Sequence, residues 1–96
     1  MRLEVITPEK KLFDEEVLSV SFPGIEGSFQ VLDNHVPIIS ALSAGKIKVD
    51  LKDGKKDFDS LTGEIEVDPS NSKVLKLSIK GGVVEMKNNH VIVLAD

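Results

Sequence analysis

The chain has 96 residues, of which 41% are hydrophobic and 29% charged, with a formal net charge of −4. That length suits one domain spanning 1–96, whose folding buries roughly 60–65% of the unfolded surface, enough for one modest core. An acidic balance argues against a nucleic-acid surface, the lack of Trp and Tyr removes aromatic platforms for bases or sugars, and the lack of Cys excludes disulfides, thiol nucleophiles and Cys-based zinc sites.

The N-terminal stretch MRLEVITPEKK has no apolar core of signal-peptide length. No apolar run approaches the ~20 residues that span a bilayer. The expectation is a chain that neither crosses the membrane nor is exported by the usual route.

Leu3 and Val5 alternate with Glu4 and predict an opening strand. Thr7-Pro8 leads into the charged bend Glu9-Lys10-Lys11. A helix starting at Pro8 would have few apolar residues to bury, so a loop is the better reading. From Val17 to Phe22 a period of two sets Leu18, Val20 and Phe22 on one side and Ser19 and Ser21 on the other. Pro23-Gly24 stops that strand, and Ile25-Glu26-Gly27 turns the chain.

Residues Gly27 to Val49 are the densest apolar part of the sequence, cut into short runs by Asp33-Asn34-His35, Pro37 and Gly45. Short runs with such punctuation predict strands. Pro37 also disfavours a helical Val36. Ile47, Val49 and Leu51 alternate with Lys46, Lys48, Asp50 and Lys52, and Asp53-Gly54 is the strongest hairpin signal in the chain.

Ile65 and Val67 alternate with Glu64, Glu66 and Asp68. A position beside the Lys46 strand would bring opposite charges together on the solvent face. Pro69 to Ser72 reads as a turn, and Leu75, Leu77 and Ile79 as a half-buried strand. Gly81-Gly82 marks a bend or bulge. Val84 and Met86 lead to an Asn88-Asn89 turn, and Val91 to Leu94, apolar on both sides, is expected in the interior. The fold class that follows is all-β, an antiparallel two-sheet β-sandwich or flattened barrel.

Chemistry is scarce in these residues. His35 and His90 fall in different predicted turns, and Asp33 with His35 supplies two donors where zinc needs three or four. Glu15-Glu16 and Glu64/Glu66 sit among other charges, without the contrast of environment that separates an acid from a base. Ser40 to Lys46 ends in Gly-Lys but has Ser40 where a phosphate loop needs Gly, and Ile47 where it needs Ser or Thr. Asp50 to Gly54 lacks the spacing of a calcium loop. No catalytic residue, metal site or cofactor is assigned. Gly27-Ser28-Phe29 and the Asp33 to Pro37 corner remain as contact candidates.

An ordered set of pieces nonetheless resembles the epsilon subunit of F-type ATP synthases. It comprises VITPEKKLF (Val5 to Phe13), Ser21-Phe22-Pro23-Gly24, Gly27, Phe29, Val31, His35, Pro37, Ile38, Ile39, Leu42, Gly45, Ile47, Gly81 to Glu85 and Val91 to Asp96. The resemblance implies a β-sandwich and a non-catalytic subunit of a rotary, proton-translocating ATP synthase, peripheral at the cytoplasmic face of the bacterial inner membrane. It implies two partners. The loop at Glu26, Gly27 and Ser28 would face the proteolipid ring, and the corner carrying His35, Pro37, Ile38 and Leu42 would lie near the gamma subunit.

Two departures stand out. Ser28 occupies a place that is often acidic in the family, which directs the ring contact toward Glu26. Residues 59–73 exceed the usual connection, as an inserted hairpin would. The family's chains usually continue past Leu94-Ala95-Asp96 into two helices, where some bind ATP; neither that property nor an inhibitory arm is carried over. The alternative from another class is a free-standing β-sandwich ligand-binding or adaptor module, which would want an exposed row of Trp or Tyr.

Overall fold

The computed structural model describes residues 1–52, 65–71 and 73–96, and these contain strand and turn without helix. Among the described residues there are nine strands: β1 (Arg2–Ile6), β2 (Lys11–Gly24), β3 (Gly27–Leu32), β4 (Ile38–Leu42), β5 (Gly45–Leu51), β6 (Ile65–Val67), β7 (Val74–Ile79), β8 (Gly82–Lys87) and β9 (His90–Ala95). Hydrogen bonding links them in the order β1-β9-β8-β4-β2-β5-β7-β6, with β3 attached to β2 and β1 also paired to β2. The all-β reading therefore holds.

Strand β2 explains the architecture. Its first half pairs antiparallel with β1, from Arg2↔Glu16 to Ile6↔Lys11. Its second half pairs with β3 (Ser19↔Leu32 to Gly24↔Gly27) and with β5 (Val17↔Leu51 to Ser21↔Lys48). One 14-residue strand thus serves both layers, and a single pair, Gly24↔Leu42, joins its end to β4. The circuit β1-β9-β8-β4-β2 closes as a flattened barrel, from which β5, β7 and β6 extend. Most pairings are antiparallel, but β1 and β9 run parallel, Arg2↔His90 to Ile6↔Leu94.

Between the layers, Leu3, Val5, Val17, Val20, Phe22, Val31, Ile47, Val49, Leu51, Leu75, Leu77, Val84, Met86, Val91 and Val93 form the core. Phe22 and Phe29 meet with ring centroids 5.5 Å apart. Alternation places Ile47, Val49 and Leu51 inward and Lys46 and Lys48 outward, as the period demands.

Three expectations are corrected. Leu18 is 54% exposed and Ser19 is buried, because the register against β5 slips between Val17 and Ser19 and the extra residue is turned outward. Ser19 is satisfied there by donating from Oγ to Asp50 Oδ2 at 2.7 Å. The last strand is not interior on both faces: Val91, Val93 and Ala95 point inward while Leu94 is 57% exposed. Strand β6 lies beside β7, not beside β5, yet Lys46 still reaches Glu66 at 3.1 Å across the intervening strand. The Asp53-Gly54 signal and residues 59–64 and 72 of the expected insertion lie outside the described residues, while β6 and β7 pair antiparallel.

Gly82 faces Ala95 of β9 across the ladder. Its φ is 151°, and an added Cβ would lie 2.3 Å from the Leu94 carbonyl oxygen. Gly82→Ala is expected to cost at least about 2 kcal/mol, through strain and displacement of β9; chemical denaturation of the variant against the parent measures it.

Candidate functional site

The two contact candidates lie at the two ends of β3, the tip at its start and the His35 corner after Leu32. Glu26, Gly27 and Ser28 are exposed at the tip of the β2–β3 hairpin. Gly24 opposes Gly27 across the two-residue turn, and a Cβ on Gly24 would meet the Gly27 carbonyl oxygen at 2.6 Å. Glycine is therefore what lets the tip close tightly. Ser43 donates through its backbone N (2.8 Å) and Oγ (3.1 Å) to the Pro23 carbonyl, and Ile25 N donates to Ala41 O at 3.2 Å. These bonds hold the tip against β4. A groove of about 570 Å³, lined by Gly24 to Phe29 with Ser40 and Ala41, runs between them.

The His35 corner is fixed differently. Asn88 and Asn89 have φ of 54° and 60°, the two positive values of a type I′ hairpin turn between β8 and β9. Asn89 then projects to the corner, where its Oδ1 accepts from Asn34 N at 2.7 Å and its Nδ2 donates to Asp33 Oδ1 at 3.1 Å. Asp33 also accepts from the Met1 ammonium at 2.7 Å, and that charge, with Asn89, holds its carboxyl below the usual range. His35 N donates to Leu32 O at 3.1 Å, and the His35 Nδ1 lies 2.8 Å from its neighbour's carbonyl, Val36 O. The ring lies in a turn against its own neighbour's backbone, and among the described residues no three His, Cys, Asp or Glu gather to hold an ion.

Strand β4 sorts the remaining candidates. Its inward residues are even-numbered, so Leu42 is only 4% exposed and belongs to the core, while Ile38 is half-buried. Leu42 is therefore a supporting residue and offers no contact surface. His35 and Pro37 stay exposed.

The outward residue of β4 is Ile39, which pairs across the sheet with Glu85, then Ile92. One row along lie Ala41, Val83 and Leu94. Ile39 (75% exposed), Val83 (44%) and Leu94 (57%) make an apolar patch, with Ile92 at its margin and Glu85 between Ile39 and Ile92. Sequence reasoning missed it by assigning β9 to the interior. The signal available was the phase of β8 and β9, whose odd and even apolar residues cannot share one face.

The same sheet changes character toward β1. Arg2 donates to Asp14 from Nε and Nη2, both at 2.8 Å. Lys11 Nζ lies 2.8 Å from Glu4 and 3.2 Å from Asp14, and the His90 Nε2 is 2.5 Å from Glu4. Lys11 first, then His90, hold the Glu4 carboxyl low, while Glu4 and Asp14 raise Lys11. The Arg2 guanidinium holds Asp14 furthest down, from 3.8 to about 2.

Comparison with known proteins now decides the family. Residues 1–75 match the model described as ATP synthase, Delta/Epsilon chain, beta-sandwich domain. The chain belongs to that family. An ATP synthase epsilon chain of Chlorobium limicola is 32% identical over 99% of this chain and 88% of its own length. The epsilon chain of Desulforamulus reducens is 33% identical over 99% of this chain, which spans only 58% of that relative's length. Among solved structures, a chain of the Tetrahymena thermophila mitochondrial ATP synthase central stalk and c-ring superposes with a TM-score of 0.68, at 17% identity, over 99% of this chain and 62% of its own; that likeness concerns the fold. No helix of the described residues is long and apolar enough to cross a membrane.

Two measurements check this account. Asn89→Gly keeps the positive φ that the I′ turn requires and removes only the side chain. It should speed amide exchange at Asn34 and His35 and cost about 1 kcal/mol, with the β8–β9 hairpin unchanged. For Asp14 the folded pKa is depressed, so its pairing stabilises the protein above about pH 4 and is lost as pH falls through about 2. Asp14→Asn should melt below the parent at neutral pH, and the gap should close as the melting buffer is taken down to about pH 2.

Proposed function

We propose that this chain is a non-catalytic central-stalk subunit of a rotary, proton-translocating ATP synthase, joining the gamma subunit to the proteolipid ring. It would work as a peripheral subunit at the cytoplasmic face of the bacterial inner membrane. Family membership supports the complex; the observation that supports the coupling role is the pair of exposed elements built on one closed β body. The hairpin tip Glu26-Gly27-Ser28 projects as a small, tightly closed turn suited to polar loops of the ring. The corner His35-Pro37-Ile38 runs directly into Ile39 and the apolar patch with Val83 and Leu94, which suits a protein surface of matching character.

Mechanically, both elements are anchored to the same packed core. The tip is held through Ser43 and Ala41, and the corner through Asn89. A close-packed interior resists deformation, so torque applied at one element reaches the other with little loss. The chemistry of ATP formation belongs to other subunits in this reading.

Separate capture assays against the gamma subunit and the detergent-solubilised ring test it. Ile39→Lys places a charge in the apolar patch, opposite Glu85, at a position already exposed to solvent. It should weaken gamma capture by about tenfold while shifting folding stability by no more than about 0.5 kcal/mol. Glu26→Gln should weaken ring capture alone. Wild-type chain that binds neither partner would refute the coupling role.

A further inference from the structure

Met1 extends the β1–β2 ladder by one residue beyond Arg2↔Glu16. Its ammonium donates to Val17 O at 3.2 Å and its carbonyl accepts from Val17 N at 2.8 Å, the double exchange of a hydrogen-bonded antiparallel pair. The residue is only 5% exposed and its side chain belongs to the core. Val17 stands at the slip in the register of β2 against β5. The α-nitrogen is therefore bonded to β2 where that strand changes layers.

Two carboxylates face the same nitrogen. Asp33 Oδ1 accepts from it at 2.7 Å, and Glu16 Oε1 lies 3.6 Å away. Asp33 belongs to the corner between β3 and β4 and is the only carboxylate from Gly27 to Gly45. The same Oδ1 accepts from Asn89 Nδ2, and the Asn89 side-chain oxygen holds Asn34 N. One nitrogen thus ties β2 to the β3–β4 corner and, through Asp33, to the β8–β9 turn. An amide nitrogen cannot stand in for it. An ammonium has three N–H bonds and a full positive charge, whereas an acylated α-nitrogen has one N–H and no charge. Spent on Val17 O, that single donor would leave Asp33 without the ammonium. Spent on Asp33, it would break the pair with Val17.

We infer that Met1 is a processing site: its α-nitrogen enters the fold as a free ammonium, and a chain acylated there, as by a formyl group, closes the Asp33 corner only after that group is hydrolysed. Water adds across the formyl C–N bond, and that bond breaks. The water oxygen leaves in formate, and both water protons end on the nitrogen as ammonium. Amide hydrolysis is thus the class of reaction that must act on such a chain before the corner is complete. This holds whatever partner the corner meets, and stands apart from the coupling role.

The chain prepared with Met1 free and with Met1 formylated, the two forms separated by intact mass, supplies the test. Carboxyl NMR titration reads Asp33 directly. In the free chain the Met1 ammonium, then Asn89, hold its carboxyl below the usual range. Formylation should move it upward toward an ordinary aspartate, and amide exchange at Asn34 should quicken about fivefold. Asp33→Asn separates the ion pair from simple crowding at the terminus. Formylation should lower the melting temperature of the parent by several degrees, and that of Asp33→Asn by less than half as much. Should the formylated parent fail to fold, enzymatic removal of the formyl group must restore the native spectrum; a chain that stays unfolded counts against the inference. An Asp33 carboxyl that titrates alike in both forms, or an equal loss of melting temperature in both backgrounds, overturns it.

Discussion

Everything in this fold depends on one strand being shared by two layers. The first half of β2 bonds to β1 and its second half to β3 and β5, so the strand must change layers near its middle. The slip between Val17 and Ser19 is where it does so, and its cost is local. Leu18 is turned out into solvent, and a serine enters the core. A buried hydroxyl without a partner would be expensive; Asp50 accepts its hydrogen bond. From that point the two layers are covalently continuous, and the core between them is enclosed by a closed circuit of strands.

The parallel β1–β9 pair completes the enclosure. It brings residues 2–6 against residues 90–94, the two ends of the chain, and its outer face carries the Arg2, Glu4, Lys11, Asp14 and His90 cluster. Exposed ion pairs contribute little each. A connected set spanning β1, β2 and β9 nonetheless ties together three strands that sequence separates widely. The Asn89 bonds to Asp33 and Asn34 act likewise, joining the β8–β9 turn to the corner between β3 and β4. Long-range ties of this kind make two surface elements parts of one rigid body.

What was legible in the sequence was whatever local pattern controls. The alternation of Ile47, Val49 and Leu51 with lysines, the stop at Pro23-Gly24 and the bend at Gly81-Gly82 all mark features that neighbouring residues decide. The Glu26 to Ser28 tip was readable for the same reason, as a turn flanked by glycines. What was not legible was phase and partnership. A bulge defeats simple period-two counting, so Leu18 and Ser19 exchanged places. In Ile38-Ile39-Ser40-Ala41-Leu42, composition cannot tell which isoleucine faces in, because both faces are apolar. The resemblance named Leu42 as a contact although it is buried, and the apolar run of β9 suggested an interior strand although Leu94 faces out. The parallel pairing of β1 with β9 and the place of β6 beside β7 depend on contacts distant in sequence, about which no local window is informative.

That same ambiguity has a physical meaning. A strand face that looks like core in sequence but stands in solvent is a surface awaiting cover, since an uncovered apolar face gains nothing from water and invites association. Ile39, Val83 and Leu94 on β4, β8 and β9 are of this kind, whereas the outward residues of β5 and β7 are lysine-rich and solvated, and the β1 face is laced with ion pairs. Charge is thus gathered on the flanks of the molecule and withheld from the side formed by β3, the His35 corner and β4. Gly27 to Gly45 carries no lysine or arginine, so this side is left without the charges that discourage further association, on a body whose own stability is secured elsewhere.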